Sequence, residues 1–208
     1  MPNIDAVVFD IGNVLLGWFP EQFYDGIIGE SQRKKLFAEV DLDGMNERVD
    51  LGDDFEQTVY AKADEHPEWR NEIRLWHDRW IEMAQPAIEH SAKLLRALRT
   101  RGVPVFALSN FGTDSFEIAK SVYPVLAEFD RAYISGHMGV IKPDPEIYER
   151  LENDCGVAPQ RLLFADDRLN NIEAALARGW QAHLFTKPQG FADRLVAEGL
   201  LSKAEASA

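Results

Sequence analysis

Apolar residues in this chain gather in four short runs: AVVFDI at 6–11, VPVFALS at 103–109, RLLFAD at 161–166 and QAHLF at 181–185. Each is rich in β-branched or aromatic residues and too short for a helix, a pattern that predicts buried strands. Near-continuous runs, as opposed to alternating ones, predict a parallel sheet covered on both faces. RAYIS at 131–135 is a weaker fifth candidate.

Helical periodicity fills the gaps. HSAKLLRALRTRG at 90–102 carries an apolar stripe, basic residues in its last turn and a terminal glycine, the marks of a helix end. PEIYERLENDCG at 145–156 opens on proline and closes on glycine, and NNIEAALARGW at 170–180 repeats the form. Alternating strands and helices predict a Rossmann-like α/β fold, a three-layer parallel-sheet core with right-handed connections. Residues 17–87 break the alternation: SQRKKLFAEV, DDFEQTVYAKADE and EWRNEIRLWHDRWIEMA are helical, with no strand between them. We read 17–87 as a helical insertion into a core made of 1–16 and 88–208. Trp69, Trp76, Trp80 and Met83 fall at helical spacing and are assigned to packing between these helices. The tail LLSKAEASA is expected to fray.

Composition narrows the class. The 208 residues, 46% hydrophobic and 27% charged, suffice for one α/β domain carrying an insertion. No apolar run reaches bilayer-spanning length. The N-terminus MPNIDAVVFD lacks the pattern of a signal peptide, and the single cysteine, Cys155, has no partner at metal-site spacing. The expectation is a cytoplasmic protein without membrane contact, a monomer or weak homodimer. A net charge of −13 disfavours a nucleic-acid binder, which needs Lys and Arg against phosphates. A small phosphorylated substrate stays admissible, because one cation and a few placed donors reverse the field inside a single pocket.

Candidate chemistry begins with VVFDIGNVLL at 7–16, which sets Asp10 inside the most core-like run of the chain. Aspartate is seldom buried unless paired or metal-bound. In open parallel sheets ligands bind beyond the carboxyl ends of the strands, and those ends carry Asp10, Ser109-Asn110 and Asp166-Asp167. Taken singly, these read as a turn or a helix cap, and Lys142 in GVIKPDPEIY as a solvated lysine. Taken together, three converging carboxylates would repel one another. A divalent cation such as Mg²⁺, which takes oxygen ligands and shares them with phosphate, removes the difficulty.

Four motifs in order resemble those of the haloacid dehalogenase superfamily of phosphotransferases and hydrolases: FDIGNVL, FALSN, GVIKPDPEIY and FADDRLNNIEAA. The resemblance spans most of the chain, and 17–87 stands where subclass I members carry a helical cap. The form FD-h-GN-V with DD-x-x-x-N is closest to bacterial glucose-1-phosphate phosphatases and the phosphatase domains of epoxide hydrolases. It implies a Mg²⁺-dependent phosphatase for a sugar phosphate, with Asp10 as the nucleophile that takes up the phosphoryl group. Ser109 and the backbone from Asn110 onward would hold the phosphoryl oxygens, and Lys142 would neutralise charge. Mg²⁺ would be bound by Asp10, the Gly12 carbonyl and Asp167, and through water by Asp166, with Asn171 supporting the loop.

Two departures stand out. Relatives carry a second aspartate two residues after the nucleophile, for acid–base work; here the position is Gly12. General acid–base catalysis contributes roughly 10²- to 10⁴-fold, so its loss favours substrates with acidic leaving oxygens, sugar 1-phosphates or acyl phosphates. His137 is a candidate stand-in. Gly17 and Phe19 in GWFP replace acidic residues common in relatives. Glu47 and Arg48, in MNERVDLGD, are candidate substrate contacts. Two other readings compete: a metal-free 2-haloacid dehalogenase in which Asp10 attacks carbon, and a catalytically idle binder of a phosphorylated ligand or a protein.

Overall fold

A computed structural model describes residues 3–207. Five strands, β1 (Ala6–Phe9), β2 (Val105–Ser109), β3 (Arg131–Ile134), β4 (Leu162–Asp166) and β5 (Gln181–Leu184), form one sheet in the order β3-β2-β1-β4-β5. Every pairing is parallel. The α/β architecture and the five strand positions are those that the apolar runs predict, the weak pattern at 131–135 included.

Side chains alternate between the two sheet faces. Val7 and Phe9 belong to one apolar cluster, Ala6 and Val8 to the other. The helices run α1 (Pro20–Ile28), α2 (Glu30–Glu39), α3 (Leu42–Asp50), α4 (Phe55–Glu65), α5 (Arg70–Asp78), α6 (Glu89–Thr100), α7 (Thr113–Val122), α8 (Ser135–Met138), α9 (Pro145–Cys155), α10 (Leu169–Ala177) and α11 (Pro188–Ala197). On the Phe9 side lie Leu94, Leu95 and Leu98 of α6 and Phe191 and Leu195 of α11; on the Val8 side lie Ile147 and Leu151 of α9 and Ile172 of α10. Helices on both faces complete the three layers.

Helices α1–α5 leave the core after β1 and return before α6. The outgoing and returning chains run side by side: Leu16 bridges Ala87, Ile88 N donates to Leu15 O at 2.7 Å, and Gly17 N donates to Pro86 O at 2.9 Å. Gly17 is required there, because a Cβ would stand 2.7 Å from the Gln85 carbonyl oxygen. Trp76 and Trp80 pack with Trp18, Tyr24 and Phe55 into an aromatic core among these helices.

The tail corrects the sequence reading. Leu200, Leu201 and Ala206 are buried against the main core, and the Ala206 carbonyl pairs with the His90 ring at 2.9 Å; burial in the core outweighs the fraying expected of a terminus. Among the described residues no helix is long and apolar enough to cross a membrane.

Candidate active site

The central strand β1 ends between β2 and β4, with Phe9 level with Ala107 on one side and Ala165 on the other. Asp10, Ser109 and Asp166 therefore emerge together at the carboxyl edge, where the connections diverge and a crevice opens. Here the cavity has a volume of about 620 Å³, floored by the core and roofed by α3, Trp18, Trp76 and Trp80.

Asp10 is 6% exposed, Ser109 1%, Lys142 3% and Asp166 0%, a density of buried polar groups that only mutual pairing sustains. Asp10 Oδ1 accepts from Ser109 Oγ at 2.7 Å and from the Ile11 amide at 2.7 Å, and faces Lys142 Nζ at 2.9 Å. Lys142 Nζ also donates to Asp166 Oδ2 at 2.6 Å and to the Leu108 carbonyl at 2.8 Å. Asn110 fixes the lysine from behind, its amide exchanging two bonds with the Lys142 backbone at 2.7 and 2.9 Å. Asp166 commits both oxygens: Oδ1 accepts from the Arg168 amide and Asn171 Nδ2, Oδ2 from Lys142 and the same Nδ2.

Burial pushes the Asp10 carboxyl up, to about 7, against the pull of Lys142 and with reinforcement from Asp166. Burial works against the Lys142 ammonium, yet the attraction of Asp10 and Asp166 outweighs it and holds Lys142 above the ordinary lysine value. The lysine is thus a fixed positive charge between two carboxylates.

Asp167 lines the cavity and is partly buried. Its Oδ2 accepts from Asn13 Nδ2 at 2.9 Å, and Asn13 Oδ1 in turn accepts from the Trp18 amide at 3.0 Å. Asn13 has φ 54, the left-handed region that Asn tolerates better than most side chains. Asp10, Asp166 and Asp167 each offer an oxygen within 4.8 Å of the others. The Asn171 Oδ1, buried and on the cavity wall, has no donor among the described residues. Hard oxygen ligands with a vacant acceptor beside them suit Mg²⁺ and its bound water.

The remaining sequence candidates divide. Gly12 and Glu47 line the cavity, and so do Ser109, Asn110, Lys142 and Asn171. Arg48 is turned away, paired with Asp53 at 2.8 Å and largely exposed. His137 is exposed and rests against the Phe116 ring, off the cavity wall, so it does not replace the carboxyl missing at Gly12. Trp76 and Trp80, assigned from sequence to packing alone, are buried and also form cavity wall. Sequence reasoning gave no role to Asn13, Asp43, Asn46 or Asp50, which line the same space. The left-handed Gly-Asn turn was the available signal for Asn13; nothing local distinguished Asp50 within the acidic string VDLGDD.

Comparison with known proteins places the chain in a family. The family model for haloacid dehalogenase-like hydrolases matches residues 4–179. Drimenol cyclase drtB of Aspergillus calidoustus is 23% identical over 88% of this chain and 34% of its own length. Sesquiterpene phosphatase astK of Aspergillus oryzae is 33% identical over 41% of this chain and 44% of its own. The chain thus spans less than half the length of these curated relatives. A HAD family enzyme of Bacteroides thetaiotaomicron, solved with magnesium and inorganic phosphate, superimposes with a TM-score of 0.68 at 21% identity, covering 88% of this chain and 95% of the other.

Proposed function

We propose, from the premise that the chain belongs to the haloacid dehalogenase-like hydrolase family, that it is a Mg²⁺-dependent phosphatase acting through a phosphoryl group carried on Asp10. The observation that carries the reading is the floor itself: one buried carboxylate at a strand end, held by Ser109 at 2.7 Å and Lys142 at 2.9 Å. Phosphoryl transfer needs a fixed nucleophile and neutralised charge more than any other device, and this floor supplies both. Three bonds fall on Asp10 Oδ1, which orients the carboxylate. Ser109 Oγ and the backbone amides after it are placed to bind phosphoryl oxygens.

In this reading Asp10, the Gly12 carbonyl and Asp167 would hold Mg²⁺ directly. Asp166, with both oxygens already bonded, would act through water, and the Asn171 Oδ1 would be free to accept from such a water. When bound, the ion neutralises the phosphoryl oxygens and aligns them with Asp10.

The cavity wall supports a small substrate with an uncharged body. Five carboxylates line it (Asp10, Asp43, Glu47, Asp50, Asp167) against two cations, Lys142 and Arg168, so a second anionic group would be repelled. Trp18 and Trp80 offer indole surfaces for the apolar face of a sugar ring, while Asn46 and Glu47 offer hydrogen bonds to hydroxyls. A sugar 1-phosphate satisfies both walls, and its anomeric oxygen leaves readily. The relative called a sesquiterpene phosphatase makes a prenyl monophosphate the natural competitor.

The test is phosphate release from sugar 1-phosphates, sugar 6-phosphates, acyl phosphates and a prenyl monophosphate, with Mg²⁺ or chelator, by wild type and Asp10→Asn. We expect Mg²⁺-dependent turnover, fastest on 1-phosphates, falling on the order of 10⁴-fold or more in Asp10→Asn. Preference for the prenyl ester would overturn the sugar assignment. Chloride release from a 2-chloroacid in chelator would replace the phosphatase reading with a dehalogenase, and no turnover at all would leave a binding protein.

A further inference from the structure

Gly12 removes a carboxyl, and packing does not require its removal: a Cβ there would meet nothing within 4 Å among the described residues. The space beside Asp10 is therefore open to a group arriving from elsewhere. Asp43, Glu47 and Asp50 face the cavity from α3. Asp43 and Glu47 are exposed, whereas Asp50, the last residue of the helix, is partly buried.

Asp50 is held in place. Asn46 Nδ2, one turn earlier, donates to its Oδ2 at 2.9 Å, the Gly112 backbone amide lies near enough to its carboxyl to favour the ionised form, and Ser135 Oγ donates to its carbonyl at 2.6 Å. The helix end comes this close to the core because its neighbours lack side chains. A Cβ on Gly112 would lie 2.5 Å from Val49 Cγ1, and one on Gly52 2.7 Å from the Gly136 carbonyl oxygen. Docking of α3 on the core and delivery of this carboxyl to the cavity are one and the same contact.

We infer that Asp50 is the acid–base catalyst of this site, supplied by the helical insertion in place of the side chain missing at Gly12. The inference rests on the phosphoenzyme reading above. In the first half-reaction an Asp10 oxygen bonds to phosphorus, the bond from phosphorus to the leaving oxygen breaks, and that oxygen takes the Asp50 proton. In the second, water attacks phosphorus and gives its proton to the Asp50 carboxylate while the bond to Asp10 breaks. Inorganic phosphate departs, and both carboxyl groups return to their starting states.

The surroundings suit the task. Burial pushes Asp50 up to about 7; the Gly112 amide opposes the rise, Glu47 of α3 and Asp10 beyond β1 add to it, and Lys142, in the loop before α9, opposes it. A carboxyl poised near neutrality gives a proton in one step and recovers it in the next.

The experiment compares wild type, Asp50→Asn and Asp50→Glu on alkyl or sugar phosphates, whose leaving oxygen needs a proton, and on para-nitrophenyl phosphate, whose leaving group does not. For Asp50→Asn we expect kcat/KM on the first class to fall roughly 10²- to 10⁴-fold. The aryl ester should still give a stoichiometric burst, followed by slow turnover with phosphorylated enzyme visible by intact mass. Asp50→Glu should retain more activity than Asp50→Asn, and adding Gly12→Asp to Asp50→Asn should restore turnover of the alkyl esters. Equal loss on both ester classes in folded protein, or no loss, overturns the inference. Absence of Asp10-dependent phosphate release from the wild type defeats the phosphatase reading and this inference with it, an outcome distinguished by needing no Asp50 variant.

Discussion

On the floor of the cavity Lys142 Nζ reaches three oxygens within 2.9 Å and Asp166 has both oxygens bonded, whereas on the wall formed by α3, Asp43 and Glu47 stand exposed to solvent. The floor is built from strand ends, whose positions the parallel sheet fixes. The wall is built from a helix end and aromatic side chains, whose positions depend on how helices α1–α5 pack against the core. A floor of this kind performs one reaction with little tolerance for change, because each polar group is buried and satisfied only by the others. The wall can vary its exposed residues at small energetic cost, which is where substrate choice can reside.

The sharpest way to break the contrast is to remove the cation under the floor. Lys142→Met leaves Asp10 and Asp166 buried without a counter-charge, and breaking a buried pair costs roughly 3–5 kcal/mol, about 10 °C in melting temperature for a chain of this size. The loss should grow with pH, since protonation of Asp10 relieves it. A variant that melts within a few degrees of wild type at pH 8 would show that the floor does not depend on its lysine.

Asp50 belongs to the wall but shares the burial of the floor, and its pH behaviour separates the two. Its folded pKa of about 7 lies above the ordinary aspartate value of ~3.9. Between those values the folded chain keeps a proton that the unfolded chain releases, so stability falls as pH rises through this window and the penalty is complete above it. Asp50→Asn abolishes the penalty. Discounted for partial solvent access, it should stabilise the protein by roughly 1–2 kcal/mol at pH 8 and leave it unchanged near pH 4. Equal melting temperatures at both pH values would mean that Asp50 ionises freely. Stabilisation accompanied by lost turnover is the expected signature of a group kept for chemistry.

Charge on the wall should act more weakly. Glu47→Gln lowers the repulsion that an additional anionic group on the substrate meets at the rim, an effect of about 1 kcal/mol for an exposed carboxylate. KM for a sugar bisphosphate should fall several-fold, and by less for the monophosphate. Identical changes for both would remove electrostatic rejection from the account of specificity.

The same contrast explains what the sequence could reveal. Asp10, Ser109 and Asp166 each follow an apolar strand run directly, so a local pattern and the rule for open parallel sheets place them at one crevice. Even RAYIS at 131–135, with its first two residues exposed, was legible by its apolar second half. Asp50 was not, because the Ser135 hydroxyl and the Gly112 amide that hold it lie far away in sequence. Trp76 and Trp80 were legible as packing and not as cavity wall, since helical spacing reports burial without saying what lies on the far side. Leu200 and Leu201 looked like a fraying end because the main core in which they are buried is assembled from residues far earlier in the chain.

Arg48 shows how narrow the margin is on the wall. It adjoins Glu47, and from sequence the two are equal candidates for substrate contact. On a helix, residues three apart share a face and adjacent residues do not, so Glu47 and Asp50 turn toward the cavity together while Arg48 points to Asp53. An exposed ion pair of this kind is worth less than about 1 kcal/mol. Arg48→Ala should therefore shift melting by no more than a degree or two and change kcat/KM less than twofold. A tenfold rise in KM would mean that the guanidinium swings into the cavity when substrate binds, and the wall would then have to be treated as a moving part.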